Sequence, residues 1–275
     1  KLVDRHGTGR VFFRNRREKI QGFPRRKLIS VPLEMSSHYQ KFSRNFSIQS
    51  ADDITVMDFA TGRKFPDNCE NIGSNDPRLT WLIEWLEKNN KKKTLLICSN
   101  IKRVKEIYTC IQEKLSKRNS PSSTDPAIFH EEMDLVERDR QAAEFASTSG
   151  PNLLISSEVG GEGRNFQFAK TLILFDLPMH PDLLEQRIGR LDRIGQGKEI
   201  SIIVPWIKSS PEEVLFEWYN RSLNAFESSW GGGGQVLEQV AEDILQALRV
   251  WFPLHSEYKN KEAALAGLLT KTKEI

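Results

Sequence analysis

From Asp76 to Pro205 the chain alternates short, almost wholly apolar runs with longer stretches whose apolar residues recur every three to four positions. The runs are TLLICSN (94–100), AIFH (127–130), NLLISS (152–157), TLILFD (171–176) and EISIIVP (199–205). Between them, DPRLTWLIEWLEKNN opens with Asp76 as an N-cap and Pro77 in the first turn and sets Leu79, Leu82, Trp85 and Leu86 on one face. IKRVKEIYTCIQEKLSKR does the same with Ile101, Val104, Ile107, Tyr108, Ile111 and Leu115, and further helices are predicted over about 134–147 and 181–193. Strands this apolar have both faces covered, so the pattern predicts an α/β fold with an open, mostly parallel sheet flanked by helices.

Three regions follow: an irregular basic arm over 1–75, the α/β body over 76–208, and a helical extension over 209–275. In the extension, 209–230 and 235–252 read as helices separated by a breaking GGGG run (231–234). Residues 1–50 carry 12 Lys or Arg against three acids, a net of +9, whereas the remaining 225 carry 28 against 34, a net of −6. A basic arm can follow a phosphate backbone by releasing counterions, or it can be a solvated surface. With 38% hydrophobic residues and six Trp, wholesale disorder is excluded. No apolar run reaches the roughly 18–20 residues that cross a bilayer, so the expectation is a non-membrane protein of the cytoplasm. Cys69, Cys98 and Cys110 are scattered and the five His are isolated, which predicts neither a disulfide framework nor a metal site. The chain starts at Lys1 rather than Met, which leads us to expect a piece of a longer protein.

Two stretches carry the chemistry, and both are expected near the carboxyl ends of strands, where open α/β sheets bind ligands. In SSEVGGEGRNFQFA (156–169), Gly160, Gly161 and Gly163 allow a tight turn and close backbone approach, as a phosphate or ribose contact needs. A dinucleotide fingerprint fails because Phe166 stands where a Gly or Ala is required. In HPDLLEQRIGRLDRIGQ (180–196), Arg187, Arg190 and Arg193 recur every three residues toward a helix end. They read either as a dipole-matched helix cap or as a comb for triphosphate oxygens, for which the planar, permanently charged guanidinium is suited. Asp192 is a further partner for an arginine in a structural ion pair.

QRIGRLDRIGQ (186–196) resembles the last signature motif of superfamily-two helicases, Q-x-x-G-R-x-x-R, in its Swi/Snf form. TLLICSN with its helix, FHEEMDLVERDRQAAEFA (129–146) and SEVGGEGRNFQFA resemble the preceding motifs of the same lobe, in the same order. EGRNFQFA, FDLP and PDLLEQRIGRLDRIGQ are most similar to the bacterial, RNA polymerase-associated branch of the family, and RVFFRNRREKIQGFPRRKL (10–28) resembles the Arg-rich stretch by which it leaves its first lobe. Arg164 replaces an apolar residue, and Met179, His180 and Pro181 replace the W-N-P of common Swi/Snf proteins; both departures favour the bacterial branch over chromatin remodelling.

The resemblance implies a RecA-like C-terminal motor lobe that closes on an N-terminal RecA-like lobe around ATP and Mg2+ and moves along double-stranded DNA. It implies Arg190 and Arg193 as arginine fingers, Gln186 as the contact reporting nucleotide state, and Gly163 and Asn165 at the ribose and interlobe surface. Arg187 is left structural. No G-x-x-x-x-G-K-[ST] and no D-E-x-H occurs in the sequence, so the residues that hold phosphates and magnesium are expected in the other lobe. The partners implied are that lobe, DNA and RNA polymerase, with nucleoid association. The alternative is a non-catalytic docking module for RNA polymerase or a DNA-processing partner.

Overall fold

The computed structural model describes residues 22–37, 57–58, 60–61, 76–116, 125–158, 166–195, 197–229, 232–251 and 258–275. Its elements in chain order are β1 (Arg25–Leu33), α1 (Pro77–Lys88), β2 (Thr94–Cys98), α2 (Ile101–Ser116), β3 (Ala127–Phe129), α3 (Leu135–Ala146), β4 (Leu153–Ser157), β5 (Thr171–Leu174), α4 (Pro181–Ile188), β6 (Glu199–Ile207), α5 (Pro211–Glu217), a π-helical turn (Trp218–Ser222), α6 (Gly233–Trp251) and α7 (Tyr258–Glu274).

The six strands form one sheet in the order β1-β6-β5-β2-β4-β3, and every pairing is parallel. Each apolar run splits by alternation. Leu95, Ile97, Leu154, Leu172, Leu174, Ile202 and Val204 face a core closed by α3, α4 and the C-terminal helices. Leu96, Cys98, Leu153, Ile155, Ile173 and Ile203 face the other side, against Leu79 and Leu82 of α1 and Val104, Ile107 and Ile111 of α2. Burying such side chains contributes about 1.5–3 kcal/mol each, which favours placing these runs between two helical layers.

Asp76 caps α1 as expected, accepting from Arg78 N at 2.9 Å. The same carboxylate binds the Arg78 side chain at 2.7 Å, and Arg78 continues to Glu212 on α5 at 2.9 Å. This buried chain of charges ties the start of α1 to the far end of β6. Burial pushes the Asp76 carboxyl up, but Arg78 and Arg103 outweigh it and hold it below the ordinary carboxylate value.

The sequence pattern needs correction in three places. Residues 25–33, expected within an irregular arm, form edge strand β1 on β6. The strand is hard to read because it opens on Arg25, Arg26 and Lys27 and Pro32 interrupts the short apolar stretch that follows, as an edge strand tolerates. The helix expected over 209–230 ends at the π-helical turn, where Leu223 N bonds Trp218 O and Asn224 adopts φ 47°. That break buries Trp218, Tyr219 and Phe226 together. Finally, Gly233 and Gly234 do not separate two helices: they begin α6, and a Cβ on Gly233 would stand 2.5 Å from Pro181 Cβ. The expected helix over 235–252 is present as α6, with Val236, Val240, Ile244, Leu248 and Trp251 buried. Helix α7, which periodicity did not announce, packs on α6 and the π-helical turn through Leu265, Leu268 and Leu269.

Candidate nucleotide-facing site

A β-α-β crossover fixes where each arginine goes. Helix α4 must carry the chain from the carboxyl end of β5 back to the amino end of β6, because the two strands are parallel. Its start is set by Pro181 and by His180, whose Nδ1 accepts from Asp182 N at 3.3 Å. Its end comes at Ile188, with Gly189 as C-cap, rather than at 193 as the periodicity predicts. Beyond it the backbone tightens through Arg190 N to Arg187 O and Leu191 N to Ile188 O, at 3.3 and 3.1 Å. Buried Leu191 and Asp192 anchor that turn.

The three arginines therefore separate. Arg187, still on the helix and 2% exposed, points back toward the carboxyl ends of the strands. Its Nη1 donates to Asp176 Oδ1 at 3.0 Å and to Asp176 O at 2.7 Å, while Nε and Nη2 both donate to Glu158 Oε2. Asp176 also accepts from Ser99 N at 2.9 Å, so β2, β4 and β5 are joined at their carboxyl ends through Asp176 and the buried Arg187 guanidinium. Burial pulls the Arg187 pKa down, and the Asp176 and Glu158 carboxylates more than restore it. Close by, Tyr219 OH donates to Pro178 O at 2.8 Å, and burial, the Asp176 charge second, pushes the Cys98 thiol well up.

Arg190 and Arg193 lie past the helix on the descending turn. Arg190 is half-buried, and its carbonyl accepts from Phe166 N at 3.3 Å, which fastens the turn to the residue directly after the glycine-rich segment. Arg193 is exposed, and its Nε donates to Gly189 O at 3.2 Å, a helix-capping contact. Gln186 is exposed on α4. Gly160, Gly161, Gly163 and Asn165 fall outside the described residues, as do Arg14, Arg16 and Arg17 of the basic arm.

Two expectations are corrected here. Placement of both motif stretches at the carboxyl edge holds for Glu158 but fails for Arg190 and Arg193, whose turn descends toward Glu199 at the amino end of β6. The crossover requires it. Arg26, counted with the basic arm, is 3% exposed and binds Glu185 and Asp192. Asp192 is thus the ion-pair residue the sequence suggests, with Arg26 of β1 as a partner. Arg25 and Lys27, to either side, are exposed. Glu158, Asp176 and Glu185 are not marked by the sequence pattern. Each lies within a motif stretch, but acids carry no periodic signal and their partners are 11 to 159 positions away.

Among the described residues, no group of three or more His, Cys, Asp or Glu could hold a metal ion, and no helix is long and apolar enough to cross a membrane.

Comparison with known proteins matches this geometry to a family. The helicase conserved C-terminal domain profile matches residues 77–195, and that of the RNA polymerase recycling family C-terminal segment matches 199–275. The RNA polymerase-associated protein RapA of Photobacterium profundum is 41% identical over 280 residues, spanning 98% of this chain and 27% of the relative. That of Pseudomonas fluorescens is 43% identical over 248 residues, spanning 90% and 25%. The chain thus spans about a quarter of the length of these relatives. Among solved structures, the C-terminal part of the Fun30 ATPase domain aligns with a TM-score of 0.53 at 14% identity, covering 82% of this chain and 99% of that one. The Sulfolobus solfataricus SWI2/SNF2 ATPase core in complex with dsDNA aligns with a TM-score of 0.55 at 20% identity, covering 79% and 48%. These two likenesses concern the fold, a RecA-like parallel sheet. The chain carries a helicase conserved C-terminal domain followed by an RNA polymerase recycling family C-terminal segment, and in sequence it is close to the RapA proteins.

Proposed function

We propose that this lobe completes the ATP site of a longer, DNA-stimulated motor in the cytoplasm, with an N-terminal RecA-like lobe of the same protein holding most of the ATP and its Mg2+. The observation that carries the reading is the division of the arginines. Arg187 is consumed inside the fold, whereas Arg190 and Arg193 stand on a turn outside the helix, where a second lobe can bring phosphates to them. A permanently charged, planar guanidinium fits a polyphosphate there. ATP, when bound, supplies the phosphoryl group that is transferred. Arg190 and Arg193 stabilise the charge that develops on it, a contact worth on the order of 10³–10⁵ in rate. Exposed Gln186, one position before Arg187, reports nucleotide state to the other lobe, and Gly163 and Asn165 approach the ribose and the lobe interface.

Double-stranded DNA is the track, as the SWI2/SNF2 neighbour's complex suggests. Its phosphates are met by polar groups at the carboxyl edge, Ser99 and Asn100 after β2, with little reading of base sequence. RNA polymerase is the protein partner, in line with the relatives' name and with the family matched over 199–275.

In the complete protein, Arg190→Ala or Arg193→Ala is expected to abolish steady-state DNA-stimulated phosphate release, leaving only a residual single-turnover rate, with nucleotide affinity only modestly reduced, because a finger acts mainly in the transition state. Normal turnover in both variants would return these arginines to helix capping and favour the docking-module alternative.

A further inference from the structure

We propose that Arg26 is a positioning residue for the arginine turn. Through Glu185 and Asp192 it fixes Arg190 and Arg193 relative to the strand by which the chain enters the sheet. The inference rests on the reading of those two arginines as phosphate-facing groups.

The Arg26 side chain is 1% exposed, and its hydrogen bonds are directional. Nε donates to Asp192 Oδ2 at 2.6 Å, while Nη2 and Nη1 reach the two oxygens of Glu185 at 2.6 and 2.9 Å. Nη1 also meets Ala225 O and Ser228 O at 3.4 and 3.2 Å. Glu185 sits on the last full turn of α4, directly before Gln186, and Asp192 directly precedes Arg193. One fork therefore grips the turn on both sides of Arg190. The backbone adds two clamps, Gly195 N to Gly22 O at 3.2 Å and Arg25 N to Lys198 O at 2.9 Å. Gly22 has φ 101°, and a Cβ there would meet Ile194 Cγ2 at 3.3 Å, so the entering segment lies flush against the turn.

A buried cation kept for charge balance alone would not need this geometry. A planar fork that binds one carboxylate with two nitrogens and a second with Nε sets orientation as well as charge, and a lysine cannot reproduce it. Displacement of a catalytic group by about 1 Å can cost about 10²-fold in rate, so a loosened turn should be felt in turnover before it is felt in binding.

The test uses the complete protein and single-turnover, DNA-stimulated phosphate release, which resolves residual rates, with kcat and KM for ATP and thermal melting alongside. Arg26→Lys is expected to lower the rate about 10- to 100-fold with KM within about twofold of the parent. The loss should shrink or vanish when Arg193→Ala is already present, because both changes act through one turn. If Arg26→Lys fails to fold, Glu185→Gln, whose side chain is 30% exposed in the parent, takes its place in the same cycle with the same expected pattern. A normal rate in the folded variant, an equal loss with and without Arg193→Ala, or a loss carried by KM would overturn the proposal. Normal rates in Arg190→Ala and Arg193→Ala would remove its foundation instead, an outcome separable from the others because it appears in the single variants.

Discussion

Three arginines spaced alike in sequence meet three different environments, and the helix end between them is the cause. Arg187 is the last to lie on α4, and it neutralises Asp176, whose side chain is 2% exposed, and Glu158. Removing one partner of a buried pair leaves an uncompensated charge, so Arg187→Ala is expected to lower stability by about 3–5 kcal/mol. Arg193→Ala, at an exposed side chain, should cost about 1 kcal/mol or less, and Arg190→Ala, at a half-buried one, less than Arg187→Ala. Denaturant midpoints of the three variants check this, and equal losses would refute the division. Asp76 allows a pH test. Its folded pKa is depressed by Arg78 and Arg103 against the burial that raises it. A depressed carboxyl contributes stability above its unfolded pKa, about 3.9, that is lost as pH falls through the folded value. Urea midpoints between pH 5 and 2 should fall more steeply for the parent than for Asp76→Asn. Parallel curves would mean that Asp76 is not held ionised.

At the scale of elements, what the sequence discloses depends on whether a segment's partners are apolar and local. Strands β2 to β6 and helices α1 to α3 are legible because burial on a sheet or one helix face imposes a period. Strand β1 is not: its one deeply buried charged residue, Arg26, is satisfied by acids about 160 positions away, and its outer edge is unpaired with any described strand. The two motif stretches are recognisable by resemblance, yet the position of the arginine turn at the amino side of the sheet follows from the crossover rather than from the motif. The glycine run misled for a related reason. Read locally it is a breaker, but Gly233 is the point at which α6 touches the first turn of α4. Gly233→Ala would press a methyl group against the rigid Pro181 ring, and an expected loss of about 1–3 kcal/mol can be read from thermal melting. An unchanged melting temperature would show that the two helices can part without cost.

Across the whole molecule, one apolar core runs from the sheet into the C-terminal helices. Leu172, Leu184 and Val204 belong to the same buried cluster as Trp218, Ile244 and Leu268, so the segment matched by the RNA polymerase recycling family is built onto the helicase lobe rather than strung behind it. Tyr219, by its bond to Pro178 O, brings that segment to within a few residues of the Asp176 and Arg187 pair. Such a lobe has a parallel sheet, a carboxyl edge lined by polar strand ends, and an arginine turn facing outward on the other side. By our account it lacks the phosphate-holding half of an ATP site and is catalytic only in combination. Steady-state phosphate release from ATP, with saturating double-stranded DNA, tests this most directly when the 275-residue chain and the complete protein are assayed side by side. The account predicts DNA-stimulated turnover by the complete protein and none above background by the chain alone. Turnover of about 1 per second or more by the chain alone, a rate ordinary for enzymes, would contradict it.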